Sequence, residues 1–114
     1  MLRGWLRCLL AGVPLLSFDN PAAADAERPA QGAAHTVVIE NMQYNPAELH
    51  VHLGERIVWV NKDLFPHTVT AASHAFDSRS IAANSSWAYV PRKAGEYAYG
   101  CTFHPTMKAM LKVQ

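Results

Sequence analysis

The stretch GEYAYGCTFHPTM, residues 95–107, decides how this chain folds. Its first half alternates in side-chain size, which puts two tyrosines and Cys101 on the same face of one strand. Its second half is a short loop that carries an imidazole at His104 and a thioether at Met107. The pattern predicts a strand that brings a cysteine to the inner edge of a sheet, followed at once by a loop whose donor atoms can converge.

The same period of two continues through the rest of the chain from about His35. The alternating sets are Val37/Ile39, Leu49/Val51/Leu53, Ile57/Trp59, Val69/Ala71, Trp87/Tyr89 and Leu111/Val113. Turn-forming residues separate them, and no window sustains an amphipathic helix beyond a turn or two. We therefore predict one all-β domain at 35–114, made of two antiparallel sheets packed face to face, with seven or eight strands.

Length and charge exclude several functional classes. The chain has 114 residues, which is room for a single domain and excludes a two-domain enzyme. Ten Lys and Arg residues stand against nine Asp and Glu residues, for a net charge of +1, and the basic residues are scattered. This balance predicts no nucleic-acid partner and no attraction to an anionic membrane surface.

The first 26 residues are typical of a secretory leader. Two arginines precede an apolar run at 8–18, and small residues follow, with cleavage expected after Ala24 or Ala26. An uncleaved anchor is the weaker interpretation because the apolar run is much shorter than the roughly 20 residues of a spanning helix. The mature protein would begin with a flexible arm up to residue 34, would not insert into a membrane, and would reside in the periplasm.

Loss of the leader leaves one cysteine in an oxidising compartment. Cys8 departs with the leader, so Cys101 has no partner for an internal disulfide. A solitary thiol in an exported protein is prone to oxidation unless it is buried or engaged in chemistry.

A fourth candidate donor lies upstream, at His67 in a Phe-Pro-His-Thr turn. One cysteine, two histidines and one methionine form the ligand set of a blue-copper centre, whereas zinc prefers four strong ligands and binds thioether poorly. Singly, such a Cys, His or Met would more often be a core or surface residue. Together His67, Cys101, His104 and Met107 predict a site for one copper ion that alternates between Cu(I) and Cu(II).

The sequence resembles the cupredoxins, and within them the amicyanin and plastocyanin-like branch. The resemblance covers about 35–114 and rests on three segments: 54–61 (GERIVWVN), 65–69 (FPHTV) and 95–107. It implies a Greek-key sandwich with a type 1 copper centre that shuttles single electrons in the periplasm. The spacing between the second histidine and the methionine resembles that of amicyanin.

The implied copper ligands are His67, Cys101, His104 and Met107. Thr68 stands where the family often has asparagine, and we expect its backbone N–H to point at the cysteine sulfur and its hydroxyl to reach Thr102. Gly100 stands where plastocyanins carry an aromatic residue, so their remote electron route is not expected here.

His104 should lie near the surface within a ring of apolar residues: Leu64, Phe65, Pro66, Phe103 and Pro105. Such a patch suits a brief encounter with a redox protein, either a dehydrogenase or a cytochrome, and we expect the carrier to be a monomer. The alternative is that these residues simply pack the end of the sandwich.

Three functional classes remain. Electron transfer is the leading one, and copper handling, as a chaperone or a store without rapid electron transfer, is the alternative. Catalysis is not expected because no His-x-His beside the cysteine offers a second copper site. His50 and His52 could form a metal pair but better fit a solvated strand face, and Met42 is expected in the core.

Overall fold

The computed structural model describes residues 12, 14 and 33–114, and every regular element in that part of the chain is a β-strand. The strands are β1 (Ala34–Glu40), β2 (Gln43–Asn45), β3 (Glu48–Val51), β4 (Arg56–Asn61), β5 (Thr70–Ala71), β6 (Ser86–Tyr89), β7 (Gly95–Gly100) and β8 (Lys108–Val113). The all-β fold and the expected strand number are confirmed. The predicted leader and arm fall almost wholly outside the described residues. Within these residues, no helix is long and apolar enough to cross a membrane.

The strands form two four-stranded sheets, ordered β2-β1-β4-β6 and β3-β8-β7-β5. The prediction of purely antiparallel sheets is wrong, because β1 runs parallel to β4 and β3 runs parallel to β8. After β2 the chain enters the second sheet as β3 and then returns beside β1 in the same direction. The alternation of side chains indicates which face of the sheet a residue lies on, but not whether the neighbouring strand is parallel or antiparallel. The two parallel pairings could therefore not be predicted from the sequence pattern.

The core lies between the two sheets. Trp59 on β4 is fully buried, and its indole N–H donates to the hydroxyl of Tyr99 on β7 at 3.2 Å, which ties one sheet to the other. The ring of Tyr44 meets that of Tyr99 edge-on, with centroids 4.9 Å apart. Burial raises the pKa of Tyr99 to about 12 and raises that of Tyr44 as well. Each large apolar side chain buried in this way contributes about 1.5–3 kcal/mol to stability.

A two-residue turn joins β1 to β2 through Asn41 and Met42, which have φ angles of 54° and 61°. A hairpin of this kind needs positive φ angles at both central positions. The position of Met42 is therefore set by the backbone conformation of the turn, and not by the hydrophobicity of its side chain. The side chain is 37 % exposed, and the prediction that Met42 belongs to the core is wrong. The carboxylate of Asp63 accepts both turn amides, from Asn41 at 2.7 Å and from Met42 at 3.0 Å.

Gly100 allows the loop after β7 to close tightly. A Cβ atom at this position would lie 2.6 Å from the backbone carbonyl oxygen of Met107, closer than such atoms can approach. The next residue, Cys101, donates its backbone N–H to the same carbonyl at 3.3 Å. Glycine at position 100 therefore sets the path of loop 101–107.

Glu55 braces the opposite end of the sandwich. Its carboxylate accepts the backbone N–H of His52 and lies 3.2 Å from Nε2 of His35 at the start of β1. The hydrogen bond from His52 outweighs the cost of burial and, with His35, lowers the pKa of Glu55. A carboxyl group whose pKa is lower in the folded state stabilises the fold above its ordinary pKa and loses that effect on acidification.

We predict that Glu55→Gln lowers the melting temperature by a few degrees at pH 7, because the amide keeps an acceptor but loses the charge. The difference between the two proteins should shrink as the pH falls below the usual glutamate value of about 4.5. Thermal unfolding followed by circular dichroism from pH 7 to pH 3 measures this. The exposed Glu96→Gln is the control, and an equal pH dependence in all three proteins would contradict the prediction.

Candidate metal centre

The predicted donor residues lie on two loops, 62–69 and 101–107, that run side by side at one end of the sandwich. His67 is held there by a two-way backbone bridge with Ile81: its N–H donates to the Ile81 carbonyl at 3.1 Å and its carbonyl accepts from Ile81 at 2.7 Å. The imidazole is completely buried. Backbone pairing therefore fixes the position of a side chain that lies 34 residues from the cysteine in sequence.

Three of the four side chains approach one another. Nδ1 of His67 lies 3.8 Å from Sγ of Cys101, and the rings of His67 and His104 have centroids 5.1 Å apart. Met107 is 2 % exposed, and its N–H donates to the His104 carbonyl at 3.0 Å, which turns the loop back on itself. The structure thus brings His67, Cys101 and His104 together and holds Met107 buried on the same loop.

The contact between His67 and Cys101 fits two ligands of one ion. Metal–nitrogen and metal–sulfur bonds of about 2.0 and 2.3 Å, at a trigonal angle, separate the donor atoms by about 3.7 Å. In the described part of the chain, however, no three His, Cys, Asp or Glu side chains are already arranged to hold a metal. Among these residues, the pair already spaced like two ligands of one ion is His67 and Cys101, with the ring of His104 beside that of His67.

Thr68 connects the two loops. Its backbone N–H donates to Sγ of Cys101 at 3.3 Å, which confirms the expected interaction. Its hydroxyl oxygen accepts the N–H of Thr102 at 2.9 Å and lies 3.3 Å from the Thr102 hydroxyl. A hydrogen bond to the sulfur stabilises the thiolate form of the cysteine, which is the form that binds metals.

Asp63 orients His67, a role that the sequence analysis missed although the two residues are only four apart. Its Oδ2 lies 2.7 Å from Nε2 of His67. Because a carboxylate can only accept, Nε2 carries a proton, and in the neutral imidazole Nδ1 then presents its lone pair on the side of Cys101. Partial burial alone raises the pKa of Asp63, but hydrogen bonds from Met42, His67 and Asn41 outweigh it and hold the pKa below its usual range.

Asn61 fixes the loop that carries Asp63. It is fully buried, and its amide nitrogen donates to the carbonyls of Phe65 at 2.8 Å and Ile81 at 3.0 Å. Its amide oxygen accepts the N–H of Asp63 at 3.0 Å. One side chain at the end of β4 therefore links the loop before His67 to the strand segment that pairs with it.

Three large apolar side chains face the solvent beside the site. Leu64 is 86 % exposed, Phe65 is 60 % exposed and Phe103 is 51 % exposed. The alternative that these residues pack the end of the sandwich is therefore wrong for the three largest of them. We call Leu64, Phe65 and Phe103 the apolar face. His104 is half-buried beside them in sequence, whereas His67, Cys101 and Met107 are buried.

His50 and His52, on and just after β3, lie away from the candidate metal centre. His50 is exposed on β3, where its Nε2 lies 3.1 Å from Oε1 of Glu48, and His52 is exposed after the same strand. This agrees with a solvated strand face. Met110 lies within β8, beyond the donor loop.

The cupredoxin-like domain model matches residues 8–113. The chain belongs to the cupredoxin-like family. This cupredoxin is 34 % identical over 104 residues to an amicyanin from Paracoccus versutus. The match covers 87 % of this chain and 76 % of that protein. It is 27 % identical over 112 residues to a plastocyanin from a Synechococcus species, across 87 % of this chain and 79 % of that one.

Solved structures agree with the sequence comparison. An amicyanin variant in its oxidised state superposes on this cupredoxin with a TM-score of 0.68 and 30 % identity, covering 78 % of this chain and 88 % of the other. A copper-containing nitrite reductase from Thermus scotoductus matches with a TM-score of 0.67 and 23 % identity, over 71 % of this chain and 22 % of that one. The second likeness shows the fold alone. The predicted membership of the amicyanin and plastocyanin-like cupredoxins is confirmed.

We predict that Asp63→Asn changes the tautomer of His67. The two oxygens of Asp63 accept three hydrogen bonds, from the two turn amides and from Nε2 of His67. An asparagine has only one acceptor oxygen, so its NH₂ group must face either the turn amides or the imidazole. When it faces the imidazole, Nε2 must accept and the proton moves to Nδ1. Imidazole ¹⁵N chemical shifts measure the change: the wild type should show a protonated Nε2, and the variant should show substantial protonation of Nδ1. The control is Glu40→Gln, which removes an exposed carboxylate on β1, and an unchanged His67 tautomer in Asp63→Asn would contradict the prediction.

Proposed function

We propose that this cupredoxin is exported to the periplasm, binds one copper ion through His67, Cys101, His104 and Met107, and shuttles single electrons between redox proteins. The observation that carries the proposal is the environment of the Cys101 sulfur. It faces the Nδ1 atom of His67 at 3.8 Å and receives the Thr68 N–H at 3.3 Å, in a place where the thiol is only 5 % exposed.

The donor set suits copper in both of its oxidation states. Thiolate and thioether are soft ligands that favour Cu(I), imidazole suits Cu(I) and Cu(II), and a thioether is a poor ligand for zinc. When bound, copper supplies a one-electron couple. The residues of the chain do the rest: Asp63 accepts the Nε2 proton of His67, which leaves Nδ1 as the donor atom of the neutral ring, and Thr68 withdraws electron density from the sulfur, which favours the reduced form.

Rigid attachment of these side chains favours electron transfer. His67 is hydrogen-bonded to Ile81 through both its N–H and its carbonyl group. A backbone hydrogen bond joins Cys101 and Met107 across their loop. Ligands that are held by the backbone rearrange little when the charge of the ion changes. A small rearrangement is what a one-electron carrier requires.

Copper handling, as a chaperone or a store, is the second candidate. A protein that delivers Cu(I) must expose its donor atoms to the recipient. Here His67, Cys101 and Met107 are 0 %, 5 % and 2 % exposed, so release of the ion would require loop 101–107 to open. Burial of three of the four donors therefore supports the carrier.

The apolar face supports transient docking of a redox partner near His104. Exposed apolar side chains beside a metal centre bury a small, easily reversed contact area. We propose a dehydrogenase or a cytochrome as the partner and a monomeric carrier. The half-buried imidazole of His104 is then the donor through which the electron passes between the proteins.

We predict that Cu(II) added to the mature protein produces an intense visible band from thiolate-to-copper charge transfer and a narrow copper hyperfine splitting in the EPR spectrum. Cys101→Ser should abolish both signals because the sulfur donor is lost. The control is His50→Ala, which removes an exposed imidazole and should keep the colour. A colourless Cu(I) complex would favour copper handling. A tetragonal Cu(II) spectrum would contradict the proposed ligand set, and a second tightly bound copper ion would support a catalytic function instead.

A further prediction concerns the apolar face. Leu64→Glu should lower the electron self-exchange rate constant by about tenfold, because two copies that meet through this face would then carry like charges. Line broadening in NMR spectra of mixed oxidised and reduced protein measures the rate. The matched control is Ala94→Glu in the loop before β7, at the opposite end of that strand from Cys101. Equal rates for the two variants would contradict docking through the apolar face.

A further inference from the structure

A buried tyrosine reaches from one sheet to the loop that carries His67. Tyr44 lies on β2 in the first sheet, and its side chain is buried. Its hydroxyl donates to the backbone carbonyl of Thr68 at 2.5 Å. Thr68 lies just before β5 of the second sheet, so this hydrogen bond joins the two halves of the sandwich beside the candidate metal centre.

The peptide bond between Thr68 and Val69 is held at both ends by side chains. Its carbonyl oxygen can only accept, so the Tyr44 hydroxyl must be the donor. Its N–H donates to the Ser78 hydroxyl oxygen at 2.7 Å, and that hydroxyl donates its own proton to the carbonyl of Arg79 at 2.7 Å. The C=O and N–H of a trans peptide point in opposite directions, so Tyr44 and Ser78 hold this peptide from opposite sides.

The preceding peptide bond makes the contact to the sulfur. The His67 carbonyl accepts the N–H of Ile81 at 2.7 Å, and the Thr68 N–H donates to Sγ of Cys101 at 3.3 Å. Sulfur is a weak acceptor, so the contact to Cys101 is the weakest of the hydrogen bonds around Thr68. Its geometry therefore follows from the stronger bonds to the two peptides.

We propose that Tyr44 and Ser78 are positioning residues for the metal centre, which hold the peptide after Thr68 so that the Thr68 N–H points at the Cys101 sulfur. Loss of the Tyr44 hydroxyl would leave the buried Thr68 carbonyl without a donor, and the backbone would shift to regain one. The N–H and C=O of Thr68 flank one Cα atom, so such a shift turns the N–H away from the sulfur. This effect does not require copper, and only the effect on the reduction potential rests on the proposed function.

The test compares Tyr44→Phe, which keeps the ring and removes the hydroxyl, with Tyr97→Phe. Tyr97 is a matched control because its hydroxyl also donates to a backbone carbonyl, that of Lys93 at 2.7 Å. Lys93 lies in the loop before β7, at the opposite end of that strand from Cys101. Both variants therefore lose one tyrosine-to-carbonyl hydrogen bond, but only one of them loses it beside the metal centre.

Hydrogen exchange in the metal-free protein measures the hold on the Thr68 N–H. We expect the Thr68 amide to exchange about three- to tenfold faster in Tyr44→Phe, relative to the Leu111 amide in β8, as for the loss of one hydrogen bond. Tyr97→Phe should leave this ratio unchanged. Equal acceleration of the Thr68 and Leu111 amides in Tyr44→Phe would show that the hydroxyl only stabilises the whole fold, and would overturn the proposal.

Ser78→Ala tests the other side of the peptide and keeps the proposal testable if Tyr44→Phe does not fold. It removes the acceptor of the Val69 N–H but keeps the backbone hydrogen bond from the Ser78 N–H to the Val69 carbonyl at 2.9 Å. The Thr68 amide should again exchange faster relative to the Leu111 amide. An unchanged ratio in Ser78→Ala would contradict its part in the proposal.

The copper-loaded protein provides a readout that a general loss of stability would not change. Tyr44→Phe and Ser78→Ala should both lower the reduction potential, because a sulfur with a weaker hydrogen bond donates more strongly to Cu(II). Tyr97→Phe should not change it, and an unchanged potential in the first two variants would overturn the proposed effect on the metal centre. Failure of the wild type to bind copper would remove the proposed function but leave the exchange measurements as a complete test of the positioning role.

Discussion

The hydrogen bond from the Thr68 N–H to the Cys101 sulfur is the contact on which the rest of the site depends. It exists because β5 pairs with β7 in a register that sets Thr70 opposite Gly100. Beyond the end of that ladder, the next residues of both segments necessarily lie side by side. A two-residue strand thus sets the distance between two loops that are more than thirty residues apart in sequence. The donor is a backbone group, so most side-chain changes at position 68 leave it in place.

The site has an inner and an outer half with opposite requirements. The inner half, His67, Cys101 and Met107, is buried, which excludes water and protects a thiol that would otherwise oxidise. The outer half consists of the half-buried His104 beside the solvent-facing apolar side chains. A carrier needs both, because the ion must be shielded while one of its ligands stays within reach of a partner. The short loop 101–107 meets both requirements by reversing direction between His104 and Met107.

Several features of the fold and the site were predictable from sequence because they depend on local periodicity. Alternation predicted the strands and placed Tyr99 and Cys101 on the inward face, and residue spacing singled out His67, Cys101 and His104, which the structure brings near one another. Strand direction was not predictable, since parallel and antiparallel neighbours bury the same alternating face. Met42 was misplaced because its turn requires a positive φ angle, which hydrophobicity does not reveal. Asp63 was missed because the local pattern does not show that the loop turns its carboxylate towards His67, where it also accepts the amides of the turn between β1 and β2.

One carboxylate lies just outside the proposed donor set, and it acts by being unable to donate. Asp63 accepts the Nε2 proton of His67, so the neutral imidazole turns its Nδ1 lone pair towards the Cys101 sulfur. Asp63 is not one of the proposed ligands, where a hard oxygen donor would favour a different metal. It instead fixes the tautomer of the ring that faces the cysteine loop. The orientation of this lone pair is therefore set from the periphery, without placing an anionic oxygen ligand beside the sulfur.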